Sequence, residues 1–387
     1  MSKMSKALPV PFMLKWARES IHYSIEDVAK KLKKNPQEIE SWETGKSYPT
    51  YKQLENLAKI YKRPIAVFYF PEPPLEQEPK EQFRTLPDFI FETFSPTVVK
   101  LIRKAQVMRE NLNELCDGKN PSERNIIKDL RTKLNSPLHT IAQKVRLYLG
   151  IDIEEQTRWN DPKKAFSRWR EVIEASGIFV FKDAFRNYTI SGFCLYDEKF
   201  PLIYVNNSMS DTRQIFTLFH EIAHLLYLTG GIDYIDDYYL EDIEGDKKNI
   251  EIFCNAFAGE FLVPDKDFEK YLDLFRRNDI ISFTSELAQY YSVSREVILR
   301  KLLNRKLISI NKYEKLAQEW NKDFKKARQG KSGGNYYNNL AIYLGYNYLT
   351  LAFDKYYRNQ ISLYELAEFL KVRKMDAIHR LEMAIGR

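Results

Sequence analysis

Cysteine is scarce in this chain. Cys116, Cys194 and Cys254 are the only three in 387 residues, and their wide separation fits neither a disulfide framework nor a paired CxxC metal site. Each reads as a small buried apolar residue rather than a reactive thiol. No run of about 18 apolar residues occurs, which argues against a membrane-spanning helix. The opening stretch, MSKMSKALPVPFMLKW, lacks the long apolar core and small-residue cleavage site of a secretory signal. The expectation is a soluble, cytoplasmic protein with no membrane partner. A strong charge of one sign is missing too: 60 basic and 53 acidic residues leave a formal net charge of +7. That balance permits nucleic-acid contact without arguing for it.

Apolar material is plentiful. Hydrophobic residues make up 44% of the chain and aromatics 14%, enough for two or three domains that each bury a core. Composition predicts a helical domain over residues 10–70, then a linker over 71–94 whose segment PEPPLEQEPKEQFRTLPD holds five prolines. A helical connector follows over 95–155, where Val98, Leu101, Ile102, Ala105, Met108, Leu112 and Leu115 recur at helical spacing. Residues 156–268 change character. GIFVFKDAF, ISGFCLYD and FPLIYVNN are short, aromatic and β-branched, and read as strands of a small sheet. Helices return over 269–328. A second break, QGKSGGNYYNN (329–339), precedes a helical tail over 335–387.

Histidine is rarer than any other ionisable side chain except cysteine, with five in all, yet two fall in FTLFHEIAHLL (216–226). Chance places a His-acid-x-x-His pattern in such a chain only about once in a hundred. Residues four apart share one helical face, so His220 and His224 can both aim imidazole nitrogens at one ion, as zinc requires. Glu221 is offset by one residue and suits a general base acting on water. An open catalytic site needs a third protein ligand. Glu251 in NIEIFCNAFAGEFLVP is favoured, on a stripe with Cys254 or Asn255, Ala258 and Phe261 or Leu262 that would pack against the first helix. The competitors Asp233, Asp236, Asp237, Glu241, Asp242, Glu244 and Asp246 fall in a polar stretch, 230–248, that reads as a solvated loop.

These two motifs resemble the ImmA/IrrE family of zinc metallopeptidases, relatives of the gluzincins. EIFCNAFAGEFLVP follows that family's second helix with Cys254 in place of the usual alanine, and ISGFCLYDEKFPLIYVNN with IFTLFHEIAH matches the region upstream. The resemblance covers roughly residues 155–265. It implies an α+β, gluzincin-like domain with zinc on His220, His224 and Glu251 and a general base at Glu221. Peptidases of this wider class hold substrate along a sheet edge, and PLIYVN is either that edge or an ordinary core strand. The oxyanion-stabilising residue is not legible among so many tyrosines.

The N-terminal region reads as helix-turn-helix. Ser24 caps one helix with Asp27 three residues on, and Asn35 caps the next with Pro36 at its first position. Ending in WETGKSYPT, it resembles the Xre/Cro type of DNA-binding module. Gln37 suits an adenine edge, Ser41 a phosphate, and Lys46 a flanking phosphate contact. Glu38 and Glu40 oppose a polyanion, so a protein-binding role for the module stays open. FTSELAQYYSVSREVILRKLLNRKLIS (283–309) repeats the helix-turn-helix pattern.

Two functions follow from sequence. The first is a zinc-dependent endopeptidase, mostly α with one small β-sheet, that cuts a specific protein such as a transcriptional repressor and so derepresses stress or mobile-element genes. The second is a DNA- or protein-binding regulator, antitoxin-like, whose metal site is structural or vestigial. An intact Glu221 favours the first, because a structural site has no use for it.

Overall fold

The computed structural model describes residues 6–75, 83, 94–130, 137–185, 187, 189–234, 245–275, 279–328, 336–372 and 374–386. Most of the expected linker (71–94) and residues 329–335 of the expected break lie outside them. The chain divides into two units, residues 1–82 with 86–104, and residues 83–85 with 105–387.

The first unit is all helical. Helices α1 (Pro11–Glu19), α2 (Ile25–Leu32), α3 (Pro36–Glu43) and α4 (Tyr51–Tyr61) are followed by a 3-10 turn at Ile65–Tyr69. The capping residues do what their chemistry dictates. Ser24 and Asp27 form a reciprocal capping box, and Asn35 accepts from the Gln37 N–H with Pro36 behind it. Lys33, in the left-handed conformation at φ 55°, turns the chain between α2 and α3. Met13, Leu14, Val28, Ile39, Trp42, Leu54, Leu57 and Tyr61 bury the shared face. Arg18 reaches across to Glu43 with two bonds of 2.7 and 2.9 Å, so one acid of α3 is neutralised inside the fold. The next helix, α5 (Pro96–Leu115), contributes residues up to Lys104 to this unit.

The second unit is built on a four-stranded sheet in the order β1 (Phe179–Asp183), β3 (Leu202–Asn206), β2 (Ile190–Leu195), β4 (Gly231–Tyr234). β1 runs parallel to β3, and the other two pairings are antiparallel. The strands expected from sequence appear as β1 to β3, with PLIYVN in the interior between β1 and β2. Tyr204 and Asn206 are both buried there. The fourth strand corrects the reading of 230–248 as a solvated loop: Gly231–Tyr234 pairs with β2, and Asp233 is only 1% exposed. Four residues carrying a glycine and an aspartate show no legible alternation.

Helices cover both sheet faces. On one, Val180, Cys194, Ile203 and Val205 pack against α7 (Pro162–Ala175), α8 (Asp211–Leu226) and α9 (Gly245–Leu262), with α6 (Leu138–Leu149) beyond. Trp169 of α7 meets Phe219 of α8 at 4.9 Å and Phe261 of α9 at 5.4 Å, while Phe219 and Phe261 stack at 4.0 Å. On the other face Phe193 stacks on Tyr204 at 5.4 Å. Tyr348 from a later helix (Tyr346–Tyr357) meets Phe181 edge-on, and Phe83 meets Phe193. Downstream, α10 (Ile280–Tyr291) and α11 (Arg295–Asn304) repeat the helix-turn-helix geometry, with Ser292 left-handed and Ser294 capping Val297. No helix among the described residues is long and apolar enough to cross a membrane.

Candidate metal centre

Helices α8 and α9 cross with their functional residues facing each other, because each presents a stripe with little bulk beyond the aromatic clamp. α8 begins at Ser210, whose hydroxyl accepts from the Arg213 N–H. At the far end of α9 the orphan carbonyls are capped by side chains. Gln156 donates to Leu262 O at 2.9 Å, and Arg146 donates to Phe261 O. Burial pushes the Arg146 guanidinium down to about 10.

Nε2 of His220 and Nε2 of His224 lie 3.1 Å apart. Glu251 approaches them at 3.5 and 3.3 Å. One ligand atom from each residue falls within 4.8 Å of the others. Asn255, one turn after Glu251, accepts from Nδ1–H of His220 at 3.0 Å, which leaves Nε2 as a lone-pair donor. Glu221 follows His220 directly on α8. Among the described residues neither of its buried oxygens accepts from an N–H or O–H, while the Cys194 thiol of β2 lies beside it. His220, Glu221, His224 and Glu251 are all 0% exposed.

The electrostatics ask for a cation. Burial, with Asp233 and Glu251 nearby, raises the Glu221 carboxyl to about 8, against an opposing pull from His224. Burial also acts to raise Glu251, but the His224 and His220 imidazoles overcome it and hold that group well below the usual carboxylate range. Asp233 adds another buried acid, bonded at 2.7 Å both to Arg213 and to the Thr217 hydroxyl. Three buried carboxyl groups thus lie about the paired histidines, with the Arg213 guanidinium bonded to one of them, Asp233. Two imidazoles and a carboxylate, with the Glu221 carboxyl group beside them, form a donor set that suits zinc with an open position.

Of the seven competing acids, Asp233 lies close to the site, but both its oxygens are engaged by Arg213 and Thr217. Asp246 is exposed in the first turn of α9, and Asp236, Asp237, Glu241, Asp242 and Glu244 lie outside the described residues. In the first unit Gln37 and Lys46 are exposed. The Ser41 hydroxyl is committed internally, donating to Glu38 O at 2.8 Å and lying 2.6 Å from the Ser47 hydroxyl. Lys34 pairs with Glu38 at 3.1 Å. Sequence reasoning placed Asn255 only on a packing stripe. It missed Gly231 and the place of Cys194 beside Glu221, which follow from β4 pairing with β2.

A helix bearing HEIAH, crossed by a glutamate-bearing helix beneath a small sheet, makes a candidate metal centre of two histidines and a glutamate. Residues 173–303 match the IrrE N-terminal-like domain of the M78 peptidases, and residues 14–68 match a helix-turn-helix family. The chain thus carries an IrrE N-terminal-like domain behind a helix-turn-helix domain of the Xre/Cro type. It is also similar to the radiation response metalloprotease IrrE of Deinococcus deserti, 34% identical over 112 residues. That match covers 28% of this chain and 38% of the relative's length.

Proposed function

We propose that the protein is a zinc-dependent endopeptidase that cuts one or a few partner proteins, with a transcriptional repressor as the favoured target. The observation that carries this reading is the convergence of His220, His224 and Glu251 beside a buried Glu221 carboxyl group with no N–H or O–H partner among the described residues. Zinc held by those three residues would supply a Lewis acid for the scissile carbonyl and acidify an attacking water. The chain's own groups do the remaining work. Glu221 takes the proton from the water and delivers it to the leaving amine. Asn255 fixes the tautomer of His220. Phe219, Ile222, Leu225 and Leu226, all buried, keep bulk water out and so strengthen each charge interaction.

Selectivity is supported by the burial of all four groups. A site closed to solvent spares bystander proteins and works on a partner able to open it. An extended substrate suits the outer edge of β4, the last strand in the sheet order, whose Gly231 lies against His224. The helix-turn-helix unit would bring the peptidase to control DNA or to a DNA-bound partner, with Gln37 and Lys46 as the exposed contacts.

Two experiments test the reading. Co-incubation with helix-turn-helix repressors encoded near its gene should yield zinc-dependent cleavage that Glu221→Gln abolishes while zinc content is kept. Cutting by Glu221→Gln at the wild-type rate would remove Glu221 from the mechanism. In mobility-shift assays on its own promoter, the full-length protein should bind with strong salt dependence, weakened by Lys46→Ala. Salt-independent binding, or none, would assign the unit to protein recognition.

A further inference from the structure

The two histidines are held by different means. His220 is oriented by its hydrogen bond to Asn255. Nδ1 of His224 is buried with no hydrogen-bond partner among the described residues. What bears on the His224 ring is strand backbone. A Cβ built on Gly231 would lie 2.2 Å from Cδ2, 2.4 Å from Cγ and 2.6 Å from Nε2 of His224. These separations are shorter than real Cβ contacts, so space alone demands glycine here.

Gly231 is itself pinned. It opposes Cys194 in the β2–β4 register, and its N–H bonds the Cys194 sulfur at 3.3 Å. Two residues on, Asp233 opposes Gly192 and ties β4 to α8 through Thr217 and Arg213. Gly192 leaves no room either: a Cβ there would lie 2.4 Å from the Thr217 methyl carbon. The edge strand is thus bolted to α8 one turn before HEIAH and presses bare backbone against the second histidine.

We infer that Gly231 is the positioning residue for His224, its backbone setting the ring in place of a hydrogen bond. A side chain at 231 turns Nε2 away from His220 and Glu251. The inference deepens the zinc reading, and only the metal half of its test rests on that reading.

The test is a double-mutant cycle on the full-length, metal-free protein: Gly231→Ala, His224→Ala and the pair, followed by thermal unfolding. Gly231→Ala should lower the melting temperature with His224 present and change it little in the His224→Ala background. An equal loss in both backgrounds overturns the inference. Zinc affinity, read by competition with a chelating dye, should fall about 10–100-fold in Gly231→Ala, the range for groups that orient metal ligands. Gly259→Ala is the control, because a Cβ there meets nothing within 4 Å. Unchanged affinity in Gly231→Ala also overturns the inference. If wild type takes no zinc while the cycle still couples, steric positioning stands and the zinc reading fails.

Discussion

Lys182 and Glu221 are both buried ionisable groups, and only one sits where its burial has a use. Glu221 faces a cation site. Lys182, on β1, is 6% exposed, with its Nζ 3.5 Å from the centre of the Phe166 ring. Burial, then the nearby Arg170 guanidinium, pushes its ammonium down to about 7, with Asp211 pulling the other way. The usual value is 10.5. Between those limits the unfolded chain binds more protons than the folded one, so stability contributed by this group rises with pH from about 7 to 10.5 and is lowest below 7. Lys182→Met should therefore raise the melting temperature at pH 6 to 7, with the gain shrinking toward pH 10. A gain that is the same at every pH would place its cause in packing. At this scale the convergence of His220, His224 and Glu251 was legible where one helix carries the information: the histidines need only the four-residue repeat to share a face, and Glu251 lies on the α9 stripe that packs against them. The partner of His220 and the wall behind His224 depend on a helix crossing and on a strand register, which local spacing does not encode.

Elements were legible in proportion to their length and caps. Ser24 with Asp27, Asn35 with Pro36, and Ser294 each cap the helix that their chemistry implies. The aromatic runs of β1, β2 and β3 announce strands, but buried on both faces they give no sign of which lies at an edge. GIDY is too short and polar to read, and its misreading as loop hid Asp233. What holds the metal-site helices together is an aromatic clamp. Trp169 is 1% exposed and touches both Phe219 and Phe261. Trp169→Ala should cost about 3–5 kcal/mol of stability in the second unit, measured by urea unfolding. A loss under about 1 kcal/mol would show that the α7–α8–α9 packing does not depend on it.

For the whole molecule, two units with separate cores carry two recognisable modules, a helix-turn-helix and an IrrE N-terminal-like domain. Everything proposed about their joint action depends on whether the second unit holds a metal through the three residues that converge there. The measurement that bears on this most directly is the zinc content of the purified full-length protein beside Glu251→Ala, by elemental analysis. The account predicts near-stoichiometric zinc in wild type and far less in the variant. Equal zinc in both, or none in wild type even when zinc is supplied, would contradict it.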